Sequence, residues 1–138
     1  MVEPGLVLID KPTDWTSHDV VAKVRKAVGT KKVGHAGTLD PLATGLLVLG
    51  IESGTKLLTF LVGADKTYLA TIRLGVSTVS DDSQSEILST ATPAALAQLT
   101  PEMIEKEMAK LTGVISQRPS SVLSLIHISE PTRQAEIS

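Results

Sequence analysis

The chain has 138 residues, 42% of them hydrophobic, and a formal charge of −2 at neutral pH. That length is enough for one domain with a real core, and no apolar run reaches the length of a membrane span. Cysteine is absent, which excludes disulfides and thiolate metal sites, and no charged-then-apolar leader opens the sequence, so a cytoplasmic protein without a membrane partner is expected.

Gly5 to Ile9 alternates weakly and reads as a strand that Asp10-Lys11-Pro12 ends. Thr16, three residues before Asp19, has the spacing of a capping box. Val20, Val21, Val24, Ala27 and Val28 then share one helical face, with Gly29 placed to close the helix. Lys23 and Lys26 lie off that stripe and should be exposed. Thr30 to Gly45 reads as a loop, and Leu46 to Ile51 as a buried strand, apolar on both faces and so expecting a covering layer on each side. A short helix should follow from Ser53, with Leu57, Leu58, Leu61 and Val62 on one face and Gly63 at its end. Thr67 to Val76 alternates like a half-buried strand, Asp81 to Ser85 is a polar loop, and Ile87 to Thr90 can pair back. Thr92-Pro93 and Thr100-Pro101 each look like a cap followed by proline at the first helical position. The second helix carries Ile104, Met108 and Leu111 on one stripe and should end at Gly113. Strands interleaved with helices at hairpin-like spacing imply an α+β fold, a mixed and largely antiparallel sheet flanked by helices.

Charge is unevenly placed. Between Val20 and His35 lie Lys23, Arg25, Lys26, Lys31 and Lys32 and no acidic residue, whereas Asp81 to Glu107 holds six acidic residues and only Lys106 against them. One segment is therefore suited to face phosphates, or else to be an ordinary solvated helix face.

The stretch Gly34-His35-Ala36-Gly37-Thr38-Leu39-Asp40-Pro41-Leu42-Ala43-Thr44-Gly45 organises the chain. Pro41 fixes its own φ and pushes Asp40 out of the helical region. A single carboxylate is thus presented on a stiff loop that leads into a core strand, an arrangement suited to catalysis. An Asp-Pro pair among glycines is also what an ordinary turn requires.

This stretch closely resembles the catalytic motif of the bacterial tRNA pseudouridine synthases that modify the T-loop uridine (position 55 of tRNA). Leu8-Ile9-Asp10-Lys11-Pro12 with Thr16-Ser17, Lys66-Thr67-Tyr68 and Arg73-Leu74-Gly75 agree with the same family, and the likeness runs from about Gly5 to Val122. The resemblance implies the same fold class, an isomerase that needs no cofactor, and tRNA, through its T-stem-loop, as partner, with no obligate protein partner. It implies Asp40 as nucleophile, with sugar or base as its target, Tyr68 packed on the base, and His35 near the everted nucleotides. Lys11, Lys23, Lys26 and Lys32 are then expected along the RNA backbone. No metal is expected, since His18 and His35 lack ligand-like spacing. Ser85 stands where the family often has glycine. The basic residue that pairs with the catalytic aspartate comes from the family's second half, and no counterpart precedes Val122. A non-catalytic RNA-binding module of the same fold is the alternative. A phosphate-binding α/β enzyme finds no GxGxxG or GxxxxGK[ST] pattern to support it.

From Leu123 the likeness stops. Leu123 to Ser138 admits a back-translation that resembles a transposase adapter used in library sequencing, so residues 1–122 are expected to be a truncated catalytic domain and 123–138 a foreign tail. On that reading the chain is the inactive N-terminal part of a longer enzyme. The alternating run Leu123 to Ile128 could then add to an unpaired sheet edge as an unselected strand.

Overall fold

The structure, a computed structural model, describes residues 2–116 and 134–137. It divides into two units, Met1–Tyr68 and Leu69–Ser138.

In the first unit β1 (Gly5–Lys11), β2 (Val33–His35) and β3 (Gly45–Ile51) form an antiparallel sheet of order β1-β3-β2. The register runs from Gly5 opposite Ile51 to Lys11 opposite Gly45, and His35 lies opposite Leu49. Between β1 and β2 runs α1 (Ser17–Val28), and a 3-10 turn (Glu52–Leu57) with α2 (Leu58–Val62) follows β3.

Helix α1 starts where its capping box dictates. The Asp19 N–H donates to the Thr16 hydroxyl, and the Thr16 N–H donates back to the Asp19 carboxylate. It ends at Gly29, which turns left-handed at φ 73° while its N–H bonds the Arg25 carbonyl. Val20 and Val21 of the predicted stripe are buried, Val24 and Val28 are half-buried, and Ala27 is exposed. They pack on the face of β3 that carries Leu47, Leu49 and Ile51, with Val33 closing the core. Lys23 and Lys26 are exposed, as predicted.

The second face of the sheet is different. Leu46 is 65% exposed, and so, by 43% and 67%, are Leu6 and Leu8 on the same face of β1. The 3-10 turn packs closely on this face at Gly50, which is buried, and Leu58 of α2 lies against the neighbouring Gly34. Among the described residues the second layer that the sequence expects is therefore present at one end of β3 and missing at the Leu46 end.

Three further expectations are corrected. The loop predicted over Thr30 to Gly45 contains β2, which is only three residues long and too short for a periodic signal. Of the four leucine and valine positions predicted on one helical face after Ser53, only Leu58 is buried. The turn begins as 3-10, where positions three apart eclipse, and the α spacing fails. Thr67 to Val76 forms no strand: residues 65–73 have no regular structure and are exposed, and only Val76 begins one. Alternation marks two faces, but a strand forms only where a neighbour accepts its hydrogen bonds.

The second unit contains β4 (Val76–Thr78) paired with β5 (Ile87–Thr90), then α3 (Pro93–Ala97), α4 (Pro101–Ala109), and β6 (Gly113–Ser116) paired with β7 (Gln134–Ile137), both pairs antiparallel. Both threonine caps are in place: Thr92 accepts from the Ala95 N–H and Thr100 from the Met103 N–H. Helix α4 stops at Ala109, and Gly113, expected as its end, opens β6 instead. The run Leu123 to Ile128, expected as an edge strand, lies outside the described residues. The partner of β6 comes from Gln134–Ile137.

Candidate active site

The stretch between β2 and β3 is pinned at both ends. The Ala36 N–H continues the ladder to the Val48 carbonyl, and Gly45 pairs with Lys11. Gly37 and Gly45 bracket it at φ 115° and 116°, a region that side-chain-bearing residues rarely enter. Between them the Ala43 N–H donates to the Asp40 carbonyl at 3.0 Å, which closes a turn with Pro41 at its second position. The Asp-Pro pair is thus a turn and a presentation device at once. Asp40 is exposed, and among the described residues its carboxylate forms no ion pair.

The segment joining β1 to α1 grips this turn. The Lys11 ammonium donates to the carbonyls of Pro12, Trp15 and Pro41, at 2.9, 2.6 and 3.1 Å. The Asp14 N–H donates to the same Pro41 carbonyl at 2.8 Å, from a backbone held at φ 63°. The Thr13 hydroxyl reaches Leu42, and the Ser17 hydroxyl exchanges two hydrogen bonds with Leu39. Lys11 is 0% exposed. It was expected along the RNA backbone, and the structure corrects this: three carbonyls take the three protons of a desolvated ammonium, which leaves none for a phosphate.

His35 ends β2, half-buried, with Nδ1 hydrogen-bonded to the Gly37 carbonyl. Its ring meets that of His18 edge to face, the centroids 5.6 Å apart. Sequence spacing did not reveal this contact, because it joins the first turn of α1 to a strand too short to be read. Among the described residues no group of three metal-ligating side chains occurs.

Tyr68 is 64% exposed at the end of the first unit, in an irregular segment rather than at the start of a strand. The neighbouring Lys66 folds back to donate to the carbonyls of Val62 and Ala64, and its stem lies beside Gly37, where an added Cβ would meet Cε at 3.8 Å. Two stretches that carry the family resemblance therefore meet at the edge of the Asp40 turn. Lys23 and Lys26 line a shallow groove with Trp15 and Asp19. Lys32 is largely exposed and pairs with Glu52 at 3.6 Å. Hydrogen bonds from the Thr16 hydroxyl, then from its N–H, hold the Asp19 carboxyl below the usual carboxylate range.

A small antiparallel sheet with one helix on its inner face, presenting one aspartate on a clamped turn, defines an α+β unit built to hold a carboxylate toward solvent. Comparison with known proteins gives the chain its family. Residues 25–134 match the family described as TruB family pseudouridylate synthase (N terminal domain). A tRNA pseudouridine synthase B of Leifsonia xyli subsp. xyli is 62% identical over 122 residues, which are 88% of this chain and 40% of that protein. One from Arthrobacter sp. is 58% identical over 121 residues, 88% of this chain and 39% of the relative. The solved structure of an H/ACA RNP bound to a substrate RNA containing 2′-deoxyuridine aligns with a TM-score of 0.52 at 25% identity, over 83% of this chain and 30% of that one. The chain belongs to the TruB family of pseudouridylate synthases, in the part that forms their N-terminal domain. It spans about 40% of the length of the curated relatives it matches.

Proposed function

We propose that the full-length enzyme carrying this segment converts a uridine in the T-loop of tRNA to pseudouridine, in the cytoplasm and with no cofactor. The observation that carries this reading is Asp40 itself, exposed and ionisable, on a turn held from both sides within a stretch that resembles the family's catalytic motif. The names of the curated relatives support tRNA as the substrate class.

The reaction breaks the bond from the ribose to a base nitrogen, turns the base, and rejoins it through a ring carbon. The proton lost from that carbon is balanced by one gained at nitrogen, so no redox partner or energy source enters. Asp40 supplies the nucleophile. The target base leaves its stack at a cost of a few kcal/mol. Stacking on Tyr68, worth about 1–3 kcal/mol per base, offsets part of that cost. His35 stands beside the everted nucleotides, and Lys23, Lys26 and Lys32 face phosphates. On this reading residues 1–122 belong to the catalytic domain and 123–138 are foreign to it. The 121- and 122-residue alignments to the curated relatives support that boundary, whereas the family match extends to residue 134. Determining the genomic sequence beyond Val122 tests the boundary, and a natural gene that encodes Leu123 to Ser138 as they stand sinks it.

The test of function is incubation of a T-stem-loop RNA with EDTA-treated full-length enzyme, followed by detection of pseudouridine. Product is expected from the wild type and none from Asp40→Asn, while Asp40→Asn still binds the RNA. Tyr68→Ala is expected to be slower than wild type. A wild type that binds without turnover favours a non-catalytic RNA-binding module, and an active Asp40→Asn enzyme removes the nucleophile from this residue.

A further inference from the structure

Ser17 is the first residue of α1 and is 2% exposed. Its hydroxyl accepts the Leu39 N–H at 2.9 Å and donates to the Leu39 carbonyl at 3.3 Å. Two hydrogen bonds from one hydroxyl to one residue fix both peptide planes that meet at Leu39. The second of those planes leads directly into Asp40. On the other side of Asp40, the Pro41 carbonyl is held by Lys11 and Asp14, and the Pro41 φ by its own ring. Asp40 thus sits between two clamps, and Ser17 is the whole of the side-chain clamp on Leu39 among the described hydrogen bonds.

The anchor for that clamp is itself rigid. Thr16 and Asp19, on either side of Ser17 and His18, close the capping box, and the Thr16 hydroxyl also reaches the Asp19 carboxylate at 2.6 Å. Val20 and Val21, a few residues on, are in the core. The Leu39 side chain packs against the same core, and the buried Ser17 hydroxyl adds the hold on its backbone. The sequence offers no hint of this, because a serine after a threonine cap reads as an ordinary helix start.

We infer that Ser17 is a positioning residue for Asp40: by holding the Leu39 backbone it sets the direction in which the Asp40 carboxylate approaches the nucleoside. The inference rests on the reading of Asp40 as nucleophile. Displacement of a reacting group by about 1 Å slows a positioned reaction by up to about 100-fold without removing any group that binds the substrate. Loss of the clamp should therefore act on turnover and spare affinity.

The test uses the full-length enzyme. Ser17→Ala is expected to lower kcat for pseudouridine formation by roughly 10- to 100-fold, to leave the Kd for a T-stem-loop RNA close to that of wild type, and to speed amide exchange at Leu39. Ser17→Thr keeps the hydroxyl and is expected to recover both kcat and Leu39 protection. If its added methyl prevents folding, Ser17→Cys, with a weaker hydrogen-bonding group, should fall between wild type and alanine in both readouts. Faster Leu39 exchange in Ser17→Ala with unchanged kcat overturns the inference. So does an equal loss of turnover and RNA affinity, which would mark Ser17 as structural only. A wild type that makes no pseudouridine fails the Asp40 reading itself and the inference with it. An active wild type beside a fully active Ser17→Ala enzyme fails the inference alone.

Discussion

Helices α1 and α4 begin alike. Thr16 and Thr100 each cap a helix through the N–H three residues on, and each helix carries an apolar stripe at helical spacing. On α1 the stripe reaches a core: Val20 and Val21 are 4% and 3% exposed against Leu47, Leu49 and Ile51. Ile104 and Met108 of α4, and Leu111 just beyond its end, remain 38–49% exposed, and no residue from 69 to 116 is buried. Local signals make a helix in both places. Burial, which supplies most of a helix's stability in water, follows only where a sheet offers a matching face.

Truncation of a core side chain should separate the two units most strongly. Leu49→Ala is expected to destabilise the folded chain by about 2–5 kcal/mol in denaturant unfolding. Ile104→Ala should change the same transition by less than about 0.5 kcal/mol. Equal losses would mean that the second unit shares the core of the first.

Charge also differs between the two units, since the basic run lies in the first and the acidic excess in the second. Reversal of Lys23, Lys26 and Lys32 to Glu in the full-length enzyme should weaken RNA binding and flatten its salt dependence, by up to about one unit of log–log slope for each phosphate no longer neutralised. Because Lys32 already pairs with Glu52, reversal of Lys23 and Lys26 alone should account for most of the change. An unaltered slope assigns these lysines to a solvated face.

The caps give a smaller contrast. Thr16→Ala is expected to cost about 1 kcal/mol in the main unfolding transition. Thr100→Ala should barely move it, because α4 has no buried partner among the described residues through which to report. A cost as large at Thr100 would show that α4 folds cooperatively with the core.

The smallest effect is pH-dependent. Folding lowers the Asp19 pKa, so the folded state binds the proton less readily than the unfolded chain does. The resulting stabilisation is present above the ordinary carboxylate range and is lost as pH falls through it, below about pH 4. The stability difference between wild type and Asp19→Asn should therefore shrink on acidification. If it grows instead, the capping box is not its source.

Much of the site could be read from the chain. The Asp-Pro turn, its flanking glycines and the strand that follows are local features, and each appears where its residues require. Lys11 could not be read in this way. As a lysine it suggests a phosphate contact, and only the approach of Pro41, thirty positions away, turns it into a buried brace. Ser17 and His18 were equally silent, because their partners Leu39 and His35 come from across the fold. Tyr68 shows the reverse failure: the alternation around it was real, but no neighbouring strand made it a ladder.

By itself the sequence determined what neighbours in the chain can settle. Those features are the two ends of α1, the caps of α3 and α4, the stiff presentation of Asp40 and the apolar run of β3, because φ limits, capping hydrogen bonds and side-chain periodicity act within a few residues. The tertiary structure alone decided how much of each face of β3 is covered, which capped helix finds a core, and how Lys11 and Ser17 close on either side of Asp40. Burial and long-range hydrogen bonds depend on groups that only folding brings together, and no local pattern encodes the partner.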